Sequence, residues 1–154
     1  MSDVMGTDLL VTPFFAAEDS SLLDMSIRVR PAYGVLASGA TEALDLEVVS
    51  GRENLAQALV LRLLTPVGSL ADLGHAAYGS RLSELIGRHK DAATRNLAKV
   101  YVLEAVAAEP RVLDKAVALD FHPDQETADS FVFTLVVAPV DGSNPVAVSA
   151  TVGL

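Results

Sequence analysis

The sequence contains no cysteine and no tryptophan, and aromatic residues make up only 5% of its 154 residues. Without cysteine the chain has no disulfide framework, no thiolate metal site and no thiol nucleophile. Basic residues are also few, since 11 Lys and Arg stand against 20 Asp and Glu and give a formal net charge of −9. A surface for duplex nucleic acid needs clustered basic side chains. The densest basic groups are only pairs, Arg28 with Arg30 and Arg88 with Lys90, so we expect no nucleic-acid partner.

Long hydrophobic runs are missing as well, and no apolar stretch approaches the roughly 18 residues of a membrane span. The first six residues include an acid and no base. We therefore expect neither a secretory signal nor a membrane partner. Hydrophobic residues nevertheless reach 51% of the chain, while charged residues are only 20%. This is more apolar material than a solitary domain of this length needs, and it favours contacts with other proteins.

The first half of the sequence predicts short strands followed by a helix. Residues 9–15 are apolar but broken by a proline, residues 24–30 alternate and predict a strand that ends at Pro31, and residues 34–41 predict a loop. Alternation over residues 43–49 predicts a short strand or an extended lead-in to the next element. Ser50 and Glu53 have the spacing of a capping box, which predicts a helix that starts there and ends at Thr65-Pro66.

The middle of the sequence predicts an irregular segment and then a second long helix. Residues 67–79 are rich in Gly and small side chains, and residues 81–86 predict one or two helical turns stopped by Gly87. A longer helix is predicted from about Asp91, a suitable N-cap, to residue 108. Its second half is apolar nearly all round apart from Glu104, which predicts that it is covered on every side, by partner helices or within one tight domain.

After Pro110 the pattern changes to period two, which predicts three antiparallel strands. The alternating residues are Val117, Leu119 and Phe121, then Phe131, Phe133, Leu135 and Val137, then Val146, Val148 and Val152. The predicted fold class is α+β, with two main helices packed on a small antiparallel sheet and a C-terminal three-stranded meander. The last strand, residues 145–152, carries apolar residues on both faces. Such an edge needs a pairing partner, or coverage within one tight domain.

Catalytic constellations are missing from the sequence. There is no nucleophile elbow, phosphate-binding loop, dinucleotide fingerprint, zinc-protease motif or calcium loop. The three histidines, His75, His89 and His122, lie far apart along the chain. The many acids guarantee pairs, but the sequence singles out none as a glycosidase pair. We therefore predict no catalytic residue, no metal site and no cofactor.

One triplet stands out, at the end of the predicted second helix: Glu109, Pro110 and Arg111. An acid at a helix C-terminus lies against the negative end of the helix dipole, and a following proline cannot continue the helix. Some other interaction must offset this arrangement. Two interpretations remain open: a helix stop with two solvated charges, or a pair of charged anchors that contact partner chains.

The order and spacing of four segments resemble the GPW family of baseplate wedge proteins, the gene-product-twenty-five-like subunits of contractile phage tails and injection systems. The segments are residues 45–58 (DLEVVSGRENLAQA), 63–68 (LLTPVG), 78–82 (YGSRL) and 109–111 (EPR). The match spans about residues 44–140. It predicts a wedge domain over residues 44–154, preceded by an N-terminal extended segment with short strands over residues 1–43, where the match is weak.

The resemblance implies a structural protein rather than an enzyme. By motif, Glu109, Pro110 and Arg111 join a wedge core with larger baseplate wedge subunits, and the last strand, with Val146, Val148, Ala150 and Val152, docks the first sheath ring. Spike or tube-hub proteins are further candidate partners. Six copies per particle, cytoplasmic assembly and a place in the baseplate of a contractile particle are also implied. The alternatives are a lysozyme-like glycoside hydrolase associated with a tail, and a regulatory binding module unrelated to tails.

Overall fold

The computed structural model describes residues 4–11, 27–31 and 42–154. Predictions for residues 12–15, 24–26 and 34–41 lie outside this part of the chain. The elements are β1 (Thr7–Leu9), β2 (Ile27–Pro31), β3 (Glu42–Leu46), β4 (Val48–Ser50), α1 (Gly51–Leu64), α2 (Ala92–Ala107), β5 (Val112–Phe121), β6 (Ser130–Pro139) and β7 (Val146–Gly153). Helices and antiparallel strands occur together, which confirms the predicted α+β class.

The chain divides into two compact units, Met1–Gln57 and Ala58–Leu154, with the division inside α1. In the first unit β1 pairs with β4, and β2 pairs with β3, both antiparallel. The predicted strand over residues 43–49 is therefore two strands, interrupted at Glu47, because its halves pair with different partners. The predicted end of the preceding strand at Pro31 is confirmed.

Two buried amide side chains of α1 hold the N-terminal segment of the first unit. Asn54 Nδ2 donates to the carbonyl of Met5 at 2.9 Å, and Gln57 Nε2 donates to the carbonyl of Leu9 at 2.8 Å. Gln57 Oε1 also accepts from the backbone N–H of Val11 at 3.1 Å. The side chains thus replace a strand partner for backbone groups that would otherwise lack one.

Helix α1 starts and stops where the sequence predicts. It begins at Gly51, directly after Ser50, with Glu53 in its first turn, and it ends at Leu64, one residue before Thr65-Pro66. Gly51 has φ of +61°, a left-handed conformation that favours glycine at this strand-to-helix junction. The reciprocal capping bonds of Ser50 and Glu53 stay a prediction.

The segment between the helices is irregular, as predicted. It contains two short 3₁₀ turns, Ala71–Leu73 and Leu82–Leu85, and most residues from 66 to 77 are exposed. The second turn lies within the predicted residues 81–86, before Gly87 with φ of +84°. Two backbone bonds tie the ends of the segment together, since Val67 N donates to Ser80 O and Ser80 N donates to Thr65 O, each at 2.8 Å.

Helix α2 has the predicted N-cap. The Asp91 side chain accepts from Thr94 N at 2.7 Å, and this backbone hydrogen bond is the largest cause that lowers the pKa of Asp91. Within the described residues the second half of the helix is not covered on every side by its own chain, so its coverage by partner helices stays a prediction. Val100 is 48% exposed, and Glu104 and Ala107 are exposed beside it. One face of the helix packs inside its unit, and the opposite face meets solvent.

The second unit is built around the predicted three-stranded meander, in the order β5-β6-β7. Its inner face consists of apolar side chains with at most 4% exposure: Phe131, Phe133, Leu135, Val137, Val146 and Val148. Arg95 of α2 lies over the ring of Phe131, with its guanidinium carbon 4.7 Å from the ring centroid. The register between β5 and β6 shifts between Val112 and Val117. These contacts place α2 against the inner face of the sheet.

Candidate functional site

The turn after α2 carries a buried carboxylate. Helix α2 ends at Ala107, and the Glu109 backbone N–H then bonds the carbonyl of Val106 at 2.9 Å. Glu109 is only 4% exposed, so its side chain is buried. Pro110 follows on the surface, and β5 begins two residues later at Val112. The triplet therefore forms a tight junction between α2 and the sheet.

Two arginines bind the Glu109 carboxylate. Arg111 Nε donates to Glu109 Oε1 at 2.6 Å, and Arg62 Nη2, from the last turn of α1, donates to Oε2 at 3.4 Å. The carboxylate thus connects the end of α1 to the α2–β5 junction. Of the two interpretations left open by the sequence, a helix stop with two solvated charges is wrong for Glu109, because its charge is buried and paired inside the chain.

The electrostatics of this carboxylate favour its ionised form. Burial raises the pKa of Glu109, but the hydrogen bond and charge of Arg111, together with the charge of Arg62, outweigh burial and lower the pKa below 4.5. Glu109 is therefore a fixed negative charge at neutral pH. Its negative charge also offsets the cost of burying the Arg62 guanidinium.

Tyr78 completes the group, which we call the Glu109 cluster: Arg62, Tyr78, Glu109 and Arg111. The Arg62 guanidinium carbon lies 4.5 Å from the centroid of the Tyr78 ring, a cation–π contact. Its buried Nε has no hydrogen-bond partner among the described residues. The arginine is therefore held mainly by Glu109 on one side and an aromatic face on the other.

The backbone beside Tyr78 has little room. Gly79 has φ of +113°, and a Cβ at this position would lie 2.4 Å from the carbonyl oxygen of Thr65. Ser80 Oγ donates to the carbonyl of Leu63 at 2.7 Å, which closes the C-terminal end of α1. These contacts tie residues 78–80 to the helix that carries Arg62, and so position the tyrosine ring over the guanidinium.

The sequence identified part of this cluster. Glu109 and Arg111 stand out by their place after a helix, although their pairing with each other was not predicted. Arg62 gave a signal too, as a charged residue inside an apolar helical run that needs a partner or a route to solvent. Tyr78 lies in one of the segments that resemble the GPW family, but its contact with Arg62 could not be predicted, because no local pattern indicates which distant side chain a tyrosine ring will contact.

Strand β7 is the second predicted site, and it is an edge strand. It pairs with β6 on one side, and no other described strand pairs with its opposite side. Val146 and Val148 are core residues, while Ala150 and Val152 are half-buried. The expectation of apolar residues on both faces is therefore wrong, because the opposite face carries Ala147, Ser149, Thr151 and Gly153.

The hydrogen-bonding direction of β7 follows from its register. Leu154 N donates to Asp129 O at 2.8 Å, while Gly153 lies opposite Ser130. Because bonded and non-bonded pairs alternate in an antiparallel ladder, the N–H groups of Val146, Val148, Ala150 and Val152 point towards β6. The N–H groups on the free edge are those of Ala147, Ser149, Thr151 and Gly153.

An apolar groove lies beside the end of β7. Its volume is about 250 Å³, and its lining includes Leu63, Leu64, Leu82 and Ile86 together with Ala150 and Val152. Leu64 and Ile86 are 61% and 71% exposed. The groove borders the last residues of β7, and it could accept apolar side chains from a segment that binds at this end of the strand.

A second buried carboxylate lies in the loop between β5 and β6, in what we call the Glu126 cluster: Lys90, Arg95 and Glu126. Arg95 binds Glu126 through two bonds of 2.7 Å, and Lys90 Nζ lies 3.0 Å from Oε2. The hydrogen bond from Arg95 is the largest cause that lowers the pKa of Glu126, to about 2, and Lys90 adds to it. This cluster fastens the loop to the start of α2.

Within residues 4–11, 27–31 and 42–154 no group of three or more His, Asp or Glu residues could hold a metal ion. None of the helices in the same residues has the length and apolar character needed to cross a membrane.

Comparison with known proteins gives a similarity of fold. No family model matches the chain, and no curated protein sequence matches it. A solved structure from Geobacter sulfurreducens, described as that of a candidate tail lysozyme, matches with a TM-score of 0.55 and 16% sequence identity. The match covers 66% of this chain and 89% of that one. The two proteins share a fold.

Proposed function

We propose that this chain is a structural subunit of a contractile phage tail or a related injection system, in the manner of the GPW baseplate wedge proteins. The observation that carries the proposal is the shared fold with the Geobacter sulfurreducens protein, which is matched over 89% of its length. The four sequence segments that resemble the GPW family support the finer assignment. The subunit assembles in the cytoplasm as one of six copies per baseplate.

The Glu109 cluster supports a docking role for the α2–β5 junction. Glu109 and Arg62 are buried, so their part is to fix the shape of the turn rather than to touch a partner. Pro110 is exposed and the Arg111 side chain is 21% exposed. These two residues form the surface that we assign to the larger wedge subunits.

The free edge of β7 supports a role in starting the sheath. Its outward N–H groups offer backbone hydrogen bonds to an added strand, and the neighbouring groove offers space for apolar side chains. Because strand pairing fixes register, the edge would set where the first sheath ring begins. The docking backbone is that of Ala147, Ser149, Thr151 and Gly153, while the valines of β7 hold the strand in its own sheet.

The experiment is a pull-down of the tagged chain from cells that express its neighbouring genes, with Arg111→Ala as the test variant. Arg111→Ala removes the partly exposed partner and leaves the buried Arg62–Glu109 pair in place. The control is Arg81→Ala, which removes an exposed arginine that pairs with Glu84 outside the cluster. We expect large wedge subunits to co-purify with wild type and with the control, but not with Arg111→Ala.

Two outcomes would contradict the proposal. If no large subunit co-purifies with wild type, the assembly role loses its support. If Arg111→Ala recovers the same proteins as wild type, the docking surface lies elsewhere on the chain. Thermal unfolding of each variant shows whether a loss of partners reflects a loss of fold.

A lysozyme-like glycoside hydrolase is the second candidate, favoured by the description of the Geobacter sulfurreducens protein. A glycosidase needs a carboxyl group that stays protonated as general acid, and therefore one with a raised pKa. Four described carboxyl groups have a clearly shifted pKa, and in each the pKa is lowered: Glu84, Asp91, Glu109 and Glu126. Release of soluble fragments from purified peptidoglycan, abolished by a single carboxyl-to-amide substitution, would favour the enzyme.

A further inference from the structure

The outward face of α2 has the spacing of a helix-pairing surface. The residues that pack inside the unit are Thr94, Ala98, Tyr101, Val102, Ala105 and Val106. On the opposite side lie Ala93, Asn96, Val100, Leu103 and Ala107, which we call the α2 seam. Their separations alternate between three and four residues, the repeat of a coiled coil. All five are exposed or half-exposed, and Val100 is 48% exposed.

One layer of the seam, Val100 with Leu103, has the residue types that favour two parallel strands. With Ala93, Val100 and Ala107 at the a positions, Asn96 and Leu103 take the d positions. A β-branched residue at a with leucine at d favours a parallel two-stranded coiled coil. Helix α2 is already folded against its sheet. Pairing with a second helix therefore does not include the free-energy cost of nucleating α2.

The charges beside the seam complement each other between two copies of this helix. In the same register Lys99 is a g position and Glu104 is the following e position, five residues later. In a parallel pair a g residue meets the e residue of the next heptad on the other helix. Lys99 would therefore face the second copy's Glu104, and the reverse contact would follow by symmetry.

Both charges are available for such a contact. Lys99 and Glu104 are exposed, and neither forms an ion pair with another described residue. Glu104 lies near Arg81 and contributes to the raised pKa of that guanidinium, but its charge is a minor cause beside Glu84. A rim pair of this kind contributes more to register and specificity than to affinity.

We propose that a second copy of this chain docks on the α2 seam, as a parallel two-stranded pair with Lys99 facing the second copy's Glu104. The seam spans about two heptads, which is short for a coiled coil. The dimer is accordingly weak, of the class of small and transient interfaces. The proposal is independent of the proposed function, because it concerns the isolated chain.

The test is sedimentation velocity of the purified chain up to about 0.5 mM, where a weak dimer is populated. We expect wild type to dimerise with increasing concentration, and Lys99→Glu and Glu104→Lys each to raise the dimer dissociation constant about tenfold or more. Each single variant places like charges opposite each other in its own dimer. An equimolar mixture of the two variants restores opposite charges at both contacts, and we expect it to dimerise like wild type.

The controls change charge equally but lie off the seam. Arg88→Glu matches Lys99→Glu, and Asp124→Lys matches Glu104→Lys; both positions are exposed. We expect both controls to dimerise like wild type. If a control weakens the dimer as much as its partner variant does, net charge rather than the seam governs association, and the proposal is overturned.

Cysteine cross-linking tests the parallel direction. The chain has no native cysteine, so Val100→Cys introduces a single thiol at an a position. Because a residues face each other in a parallel pair, oxidation should give a disulfide-linked dimer, whereas the control Asp124→Cys should remain monomeric. A wild-type chain that stays monomeric throughout, or a dimer in which Lys99→Glu and Glu104→Lys do not restore each other, overturns the proposal.

Discussion

Glu109 and Glu126 are two buried carboxylates of the second unit, and each lies where a loop or turn meets α2. Each is a carboxylate almost without solvent contact, and each is bound by two basic side chains. The two carboxylates differ in the number and length of the hydrogen bonds that they accept from arginine. Arg95 grips Glu126 through two bonds of 2.7 Å, whereas Arg62 reaches Glu109 through one bond of 3.4 Å. The two clusters therefore respond differently to substitution and to acid.

Removing the Glu109 carboxylate leaves the buried Arg62 guanidinium without its negative partner. We expect Glu109→Gln to destabilise the chain by about 3 kcal/mol, because Arg62 then lacks a counter-charge in a buried position. Arg62→Met in the same background should recover part of the loss, since it removes that cation while filling its volume. Urea unfolding of wild type, both single variants and the double variant measures the coupling. Strictly additive losses would show that the two side chains do not stabilise each other.

Glu126 gives the chain a defined acid sensitivity. Its pKa falls from 4.5 to about 2 on folding, so its contribution to stability is complete above pH 4.5 and is lost as the pH falls towards 2. We expect the free energy of unfolding of wild type to decrease over this interval, and that of Glu126→Gln to decrease less steeply. Asp124→Asn, an exposed neighbour in the same loop, is the control and should keep the slope of wild type.

At the scale of elements, the connections rather than the helices hold the two candidate sites in place. The segment after α1 returns to it through paired backbone bonds between residues 65–67 and 80. Without that return, Tyr78 would not lie over Arg62. The edge of β7 is likewise defined by its partner β6, which turns alternate N–H groups inward and outward.

A substitution at Gly79 tests the close contact between residues 78–80 and the end of α1. We expect Gly79→Ala to destabilise the chain by about 2 kcal/mol or more, because its Cβ would collide with the Thr65 carbonyl in addition to meeting the strain of positive φ. Gly74→Ala is the matched control, since Gly74 has φ of +83° but open space around its Cβ position. It should cost only about 1 kcal/mol. Equal losses at the two positions, by thermal or urea unfolding, would exclude the steric contribution.

Proline substitution at outward-facing positions of β7 tests the free edge without breaking the hydrogen bonds that hold the strand to β6. Ala147→Pro/Thr151→Pro removes two outward N–H groups and no bond to β6, a placement that edge strands tolerate. We expect a folded chain with a nearly unchanged unfolding temperature, and baseplates on which the sheath fails to start. Ala147→Ser/Thr151→Ser keeps both N–H groups and should support normal sheaths. Normal sheathed particles from the proline variant, seen by electron microscopy, would refute the docking role of this edge.

At the scale of the whole molecule, the proposed role predicts dependence of particle assembly on this chain. Deleting its gene from a host that makes the contractile particle should abolish sheathed particles, and supplying wild type should restore them. Supplying Arg111→Ala should not, because the α2–β5 junction could no longer dock. Electron microscopy of particle preparations measures the effect. Sheathed particles of normal number in the deletion strain would contradict a structural role.

Much of the secondary structure could be predicted because its signals are local. Asp91 caps α2, proline follows the end of α1, and alternating residues mark the three strands of the meander. The split of the predicted strand at residues 43–49 was missed because it depends on which distant strand pairs with each half. Which face of α2 packs inside its own chain could not be predicted for a similar reason, since an all-round apolar pattern does not say what covers each face.

The sequence by itself determined the α+β class, the helix starts and stops, and the unusual position of Glu109 between α2 and Arg111, because each rests on contacts or preferences within a few residues. The tertiary structure alone decided that Arg62 and Tyr78 join Glu109, that the valines of β7 face inward while its free N–H groups belong to the alternate residues, and that one face of α2 is open. Such arrangements arise from packing between distant segments, whose geometry no local pattern encodes.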